Sequence, residues 1–327
     1  MAVKTLIEAI RDALAEEMRR DPAVIVLGED VGYRGGVFRA TEGLIQEFGE
    51  ERVIDTPLAE SGIIGVAIGA ALNGFRPVAE IQFADFIAPA IDQIVNEAAR
   101  MRYRSAGEWW CPLVIRAPFG GGIHGGLYHS QSVEAYFTHV PGLKVVVPSN
   151  PYDAKGLLKA AIRDDDPVLY FEHKKAYRLV KGEVPEGDYI VPIGSAKIAR
   201  PGRHLTVIAY GLMTTYAVEA AERAAAEGID VEVVDLLTLY PPDKATILES
   251  VKKTSRALVV YEDNLTGGFG AEIAAIIAEE AFPYLDAPVM RLAGPDVPAM
   301  PYAAPLEEAF MPNPEKILTK IRELAAY

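Results

Sequence analysis

Apolar residues recur along the chain in two alternating rhythms. Leu6, Ile10, Leu14 and Met18 keep the spacing of one helix face, behind a Thr5–Glu8 pair that reads as a capping box. VIVL (24–27) follows, a short run suited to a strand buried on both faces. The alternation continues through strand RPVAEIQF (76–83), a helix over 87–103, strands PLVIRAP (112–118) and KVVVP (144–148), a helix over 152–163 and strand PVLYFEH (167–173). Strands separated by helix-length connections predict a parallel sheet with helices on its faces. From about Lys174 to Gly202 the rhythm lapses into mixed charge, Pro and Gly, the mark of an interdomain linker, bounded here as 181–202. A second α/β unit follows, with strands LTVIAY (205–210), VEVVD (231–235), ALVVY (257–261) and PVMRL (288–292). Its helices are expected over 214–227, after Pro241-Pro242, and over 268–280. The expected fold class is α/β, with two parallel-sheet domains at 1–180 and 203–327.

Composition agrees with that division. A chain of 327 residues is too long for one ordinary core. With half its residues hydrophobic and 24% charged, it is globular and not disordered. A formal net charge of −14 argues against nucleic acid or an anionic membrane surface, which need clustered Lys and Arg, and suits a basic protein partner. The longest uncharged apolar run, Gly62 to Leu72, has eleven residues where a membrane span needs about twenty. No signal-peptide pattern is visible, and the single cysteine, Cys111, rules out an intrachain disulfide; both point to a reducing cytoplasm.

Chemistry concentrates in three stretches. GGGIHGGLYHSQS (Gly120 to Ser132) contains a formal G-x-G-x-x-G at Gly120, Gly122 and Gly125 after a predicted strand. A dinucleotide site also needs a helix opening at once and an acidic residue about twenty positions on. The glycines run instead into HGGLYHSQS, and no Asp or Glu occurs between Glu134 and Asp153. His124, His129 and His139 lack the companion carboxylates and Cys spacing of a zinc site. Ser130 and Ser132 lack the G-x-S-x-G elbow of a hydrolase. What remains is a loop whose glycines allow close approach to a ligand, with His129 placed for proton transfer, or a loop with a structural histidine. In DTPLAESGIIGVAIGAALNG (55–74), Glu60 opens a helix rich in Gly and Ala. Glu60 is either a first-turn carboxylate favoured by the helix dipole or a buried proton-exchanging group. In IQFADFI (81–87), Phe83 and Phe86 are core residues or a stacking surface for a flat heterocycle.

GEDVG (28–32), DTPLAESGIIG, IQFADFI, HGGLYHSQS and TGGFGAEIAA (266–275) lie in order across the chain. Together they resemble the beta subunit of the thiamine-diphosphate-dependent 2-oxoacid dehydrogenases. LYHSQSVEA and YDAKGLLKAAIRDDDPVLYFEHK look most like the branched-chain (2-oxoisovalerate) type, with pyruvate and acetoin relatives as alternatives. The resemblance implies a pyrimidine-type thiamine-diphosphate-binding domain followed by a transketolase C-terminal-like domain. It implies that Glu60 exchanges a proton with the aminopyrimidine and that Phe86, where branched-chain relatives often carry Tyr, stacks on that ring. Gln82 would line the same pocket, Glu29 would lie near the cofactor at the subunit interface, and His129 would stand near the thiazolium. Asp164 and Asp166, with backbone at Leu113 and Val114, resemble a structural potassium site.

No G-D-G motif occurs in the chain. The resemblance therefore implies that Mg²⁺ and the diphosphate are held by an alpha subunit, in an α2β2 heterotetramer serving a lipoyl acyltransferase. Leu237, where relatives commonly show Arg, and Asp263-Asn264, where many show Ala-Pro, depart from the pattern. A self-sufficient transketolase-like enzyme and a non-catalytic assembly subunit are the competing expectations; the missing G-D-G opposes the first, and intact Glu60 and His129 oppose the second.

Overall fold

The computed structural model describes residues 1–327. β1 (Ala2–Thr5) leads into α1 (Leu6–Arg20), which the expected capping box opens. The Thr5 hydroxyl accepts from the Glu8 N–H, and the Glu8 carboxylate accepts from the Thr5 N–H at 2.7 Å. Leu6, Ile10 and Leu14 are fully buried and Met18 nearly so.

β2 (Val24–Gly28), β3 (Val53–Asp55), β4 (Arg76–Glu80), β5 (Val114–Phe119), β6 (Lys144–Val146) and β7 (Val168–His173) build a parallel sheet in the order β6-β7-β5-β4-β2-β3. Its connections carry α2 (Leu44–Phe48), α3 (Glu60–Leu72), α4 (Met101–Arg104), α5 (Glu134–Thr138) and α6 (Pro151–Arg163), with α7 (Ala176–Leu179) after β7. The helix expected over 87–103 is instead a 3-10 segment (Ala84–Ala90), a π segment (Gln93–Ala98) and the short α4. Pro89 lies in the first of these, where its missing N–H and its ring oppose a regular α-helix.

The stretch expected as a linker is built into both halves. β8 (Lys181–Val184) pairs antiparallel with β1, and β9 (Lys197–Arg200) forms an antiparallel edge on the second sheet. That sheet runs β14-β13-β10-β11-β9, with β10 (Leu205–Ala209), β11 (Val231–Asp235), β13 (Ala257–Asn264) and β14 (Met290–Gly294) mutually parallel. Between β11 and β13, β12 (Thr238–Tyr240) leaves its own half and pairs antiparallel with β6, extending the first sheet to seven strands. α8 (Leu212–Ala225), α9 (Lys244–Thr254), α10 (Gly270–Glu280), α11 (Ala304–Phe310) and α12 (Pro314–Ala325) cover the second sheet. Asn313 caps α12 by accepting from the Lys316 N–H at 2.9 Å, with Pro314 opening the helix. One apolar cluster joins Leu27 and Phe119 of the first half to Ile208 and Tyr261 of the second, so the halves share a core.

Candidate active site at the facing carboxyl edges

Ligands of open parallel sheets bind beyond the carboxyl ends of the strands. Five expected site residues lie there: Glu29 follows β2, Glu60 opens α3 after β3, Gln82 and Phe86 follow β4, and His129 lies in the loop after β5. The His129 ring stands edge-on to Phe83 and to Phe86, with centroids 4.6 and 5.5 Å apart, and the two phenyl rings are 5.8 Å apart. The Gln82 amide donates to the Glu29 carbonyl at 3.5 Å. Partial burial, then the Asp30 and Glu60 carboxylates nearby, raises Glu29 above the usual carboxylate range. Aromatic, carboxamide, imidazole and carboxylate groups far apart in sequence therefore lie at one sheet edge, with His129 held against Phe83 and Phe86.

The four residues expected around potassium lie at the opposite, amino edge, before β5 and β7 and at the start of β5. There the Lys144 ammonium donates to both Asp164 oxygens at 2.7 Å, and Arg102 donates to Asp166 at 2.5 Å. The Arg76 guanidinium takes the carbonyls of Ile162 and Asp164 at 3.1 and 3.0 Å, and the Leu113 carbonyl accepts from the Val168 N–H. Cationic side chains hold the Asp164 and Asp166 oxygens and a backbone N–H takes the Leu113 carbonyl, an arrangement that does not suit a potassium ion, and no chemistry is routed through one.

The glycine loop has a different reason from the one its composition pointed to. What approaches its backbone is the protein itself. A Cβ on Gly121 would sit 2.0 Å from the Met300 sulfur, and one on Gly120 would sit 2.4 Å from the His173 ring. The N–H groups that a phosphate would use are taken by side chains of the second half. Glu262 accepts from Gly121 at 2.6 Å, and Glu307 accepts from Gly122 and His124 at 2.9 and 3.1 Å. A cradle of this kind normally recruits an anion; here two carboxylates fill it. His124 is thereby explained as well, because its Nδ1 meets the other Glu307 oxygen at 2.7 Å.

Beneath the loop lie charges that the sequence did not single out. Arg116, fully buried, forms a bidentate pair with Glu172 at 2.6 and 2.7 Å and reaches Glu80 at 2.6 Å. Lys174 lies over the Phe83 ring at 5.7 Å, and burial pushes its ammonium down to about 8 against the pull of Asp85 and Glu262. Asp85 Oδ1 accepts from Ser130 and Gln131 N–H groups at 3.1 Å each, while its Oδ2 and the Ser130 hydroxyl are buried without a partner. A lone acid inside IQFADFI was the one local signal for Asp85; nothing in the spacing marked Glu262 or Glu307. A cavity of about 700 Å³ opens beside the loop, lined by Ser130, Ser132, Glu262, Asp263, Met300 and their neighbours.

This arrangement fits one end of a thiamine cofactor. Phe86 and Phe83 offer a surface for a flat ring, and the orphaned Asp85 and Ser130 oxygens leave hydrogen-bonding capacity beside it. The loop N–H groups, already bonded to carboxylates, do not fit a diphosphate, and no three His, Cys, Asp or Glu side chains converge to hold a metal ion.

Residues 3–180 match the family described as transketolase, pyrimidine binding domain, and residues 194–317 match transketolase, C-terminal domain. The fold is thus transketolase-type. The 2-oxoisovalerate dehydrogenase subunit beta of Bacillus subtilis (strain 168) is 61% identical over 327 residues, covering all of both chains. The pyruvate dehydrogenase E1 component subunit beta of the same organism is 50% identical over the full length of both. The 2-oxoisovalerate dehydrogenase subunit beta of Pseudomonas aeruginosa is 48% identical over 96% of this chain and 92% of that one. A solved split-gene transketolase, an inactive beta4 tetramer, superimposes with a TM-score of 0.79 at 26% identity, over 98% and 97% of the two chains. The chain belongs to the family of 2-oxoacid dehydrogenase beta subunits, and membership implies thiamine diphosphate as cofactor. No helix is long and apolar enough to cross a membrane.

Proposed function

We propose that this chain is the beta subunit of a thiamine-diphosphate-dependent dehydrogenase that oxidatively decarboxylates branched-chain 2-oxoacids and passes the acyl group to the lipoyl group of an acyltransferase. The observation that carries this reading is the gathering of Phe83, Phe86 and His129 at the carboxyl edge, in a chain 61% identical to a 2-oxoisovalerate dehydrogenase beta subunit. The pyruvate alternative fits less well, at 50% identity.

Bound at this edge, thiamine diphosphate would supply the carbon centre and electron sink that let a 2-oxoacid lose carbon dioxide. In this reading the first half (1–180) contributes the pyrimidine side and the second half (203–327) closes over it. Glu60 would hold a proton at its carboxyl oxygen toward the pyrimidine, and Phe86 and Gln82 would orient that ring. Glu29, its carboxyl raised by burial and by neighbouring carboxylates, backs Glu60 at the edge shared with the partner chain. A ring nitrogen of His129 would hold or give up a proton beside the cofactor's reacting end, with the Phe83 and Phe86 edges fixing the imidazole. Mg²⁺ and diphosphate ligands fall to an alpha subunit in an α2β2 assembly, working in the cytoplasm.

The test is co-assembly with an alpha-type chain and comparison of kcat/KM for 2-oxoisovalerate and pyruvate. The expected preference for 2-oxoisovalerate is about tenfold or more, roughly 1.4 kcal/mol in transition-state binding. A preference of that size for pyruvate overturns the substrate reading, and a fully active chain without a partner overturns the assembly.

A further inference from the structure

The loop that carries His129 is fixed only in part by its own bonds: the Gly120 N–H donates to the Gln131 carbonyl at 3.0 Å and the Gln131 amide donates to the Leu127 carbonyl at 3.2 Å. Between Gly120 and Gln131 it contains one 3-10 turn, Gly126–Tyr128, and its backbone takes positive φ at Gly120, Gly122, His124 and Gly126. Such a segment has many alternative conformations, so outside contacts must select one. Those contacts are three carboxylates. Asp85, from the same half, holds the far end through the Ser130 and Gln131 N–H groups at 3.1 Å. Glu262, 2% exposed near the end of β13, holds Gly121 at 2.6 Å and meets His173 Nε2 at 2.8 Å. Glu307, 3% exposed on α11, takes two backbone N–H groups with one oxygen and the His124 ring with the other. Met300 and Tyr302 of the second half close over Gly121 and Gly126.

We propose that Glu307 is a positioning residue for His129: through Gly122 and His124 it fixes the loop so that the imidazole stays against Phe83 and Phe86, which makes the second half part of the catalytic machinery. Hydrogen bonds from backbone N–H groups to a carboxylate are charge-assisted and directional, so one side chain can hold two consecutive turns of such a loop. Glu307 is 185 residues from Gly122 in the chain, and its hydrogen bonds go to Gly122 and His124, not to His129 itself. The inference rests on the reading of His129 as the proton-carrying group.

The experiment uses the assembled complex of this chain with its alpha subunit, carrying Glu307→Ala, Glu307→Gln, His129→Ala and the double variant Glu307→Ala/His129→Ala. Steady-state kinetics are read beside hydrogen–deuterium exchange of the peptide spanning 120–132. A displacement of about 1 Å at a reacting group can cost on the order of a hundredfold. Glu307→Ala is expected to lower kcat at least about tenfold with KM for the 2-oxoacid within about twofold, and to speed exchange of 120–132 by a similar factor. Glu307→Gln, whose amide oxygen still accepts from Gly122 and His124, recovers most of both. In the His129→Ala background, removal of Glu307 costs no more than about twofold. Unchanged kcat or unchanged exchange in Glu307→Ala overturns the proposal, as does a full additional loss in the double variant. If Glu307→Ala does not assemble, Glu307→Asp takes its place: its side chain, one methylene shorter, withdraws the carboxylate from Gly122 and His124, so lower kcat with faster exchange supports the proposal and unchanged kcat or exchange refutes it. A fully active His129→Ala overturns the reading beneath it, whatever Glu307 does.

Discussion

Asp235 ends β11 with no exposed surface, at the point where the second half meets the loop after β6. The Ser149 hydroxyl donates to one of its oxygens and the Thr214 hydroxyl to the other at 3.1 Å. Burial outweighs these bonds and Lys197, and it raises the carboxyl from 3.8 to about 7. Between those values the native state holds a proton that the unfolded chain has lost, so stability falls as pH rises through the window. The penalty is absent below 3.8 and complete above about 7. At about 1.36 kcal/mol per pH unit, it reaches about 4 kcal/mol. Asp235→Asn removes the charge at nearly constant shape, and one hydroxyl turns from donor to acceptor, a role open to Ser and Thr alike. The variant is expected to be more stable than the parent by about 2–4 kcal/mol at pH 8, shrinking to about 1–2 kcal/mol at pH 5. Scanning calorimetry of the assembled complex should show the midpoint of this chain higher by about 3–6 °C at pH 8. A variant no more stable at pH 8, or one whose advantage is the same at pH 5 and pH 8, refutes the reasoning.

Three further expectations concern the site and its support. Glu60→Gln in the assembled complex should lower kcat by roughly 10²–10⁴, the range of general acid–base contributions, while full activity removes Glu60 from the chemistry. Arg116→Met leaves Glu80 and Glu172 buried without their countercharge, and denaturant titration should show a loss of about 3–5 kcal/mol. Gly121→Ala drives a methyl against Met300 at a cost of about 1–3 kcal/mol, seen as a lower unfolding midpoint. Met300→Ala in the same chain should recover part of that loss, and no recovery would place the strain elsewhere.

Much of the sheet scaffold was legible because burial leaves a local periodic trace. VIVL, LTVIAY and VEVVD became strands of the two sheets, and the Thr5–Glu8 pair became the cap it resembled. Glu60, Phe86 and His129 stood out as candidates in their own stretches, and Gln82 only once the motifs were read in register along the whole chain. β1, β3, β8, β9 and β12 escaped because three or four residues carry too little periodicity. β12 is the clearest case: its partner, β6, lies about ninety residues away in the other half.

The order of buried and exposed positions along the chain thus determined the alternation of strands and helices, the division into two α/β halves and, through its motifs, the family. Tertiary structure alone decided what the glycine loop is for. Glu262 and Glu307 lie 141 and 185 residues from the N–H groups they hold, and a contact across that separation leaves no periodic trace near either end. It decided equally that Pro89 lies in a broken helical stretch and that Lys144, Arg76 and Arg102 hold oxygens of Asp164 and Asp166. Hydrophobic burial is recorded residue by residue, whereas the pairing of buried charges is recorded only where the chain returns to itself.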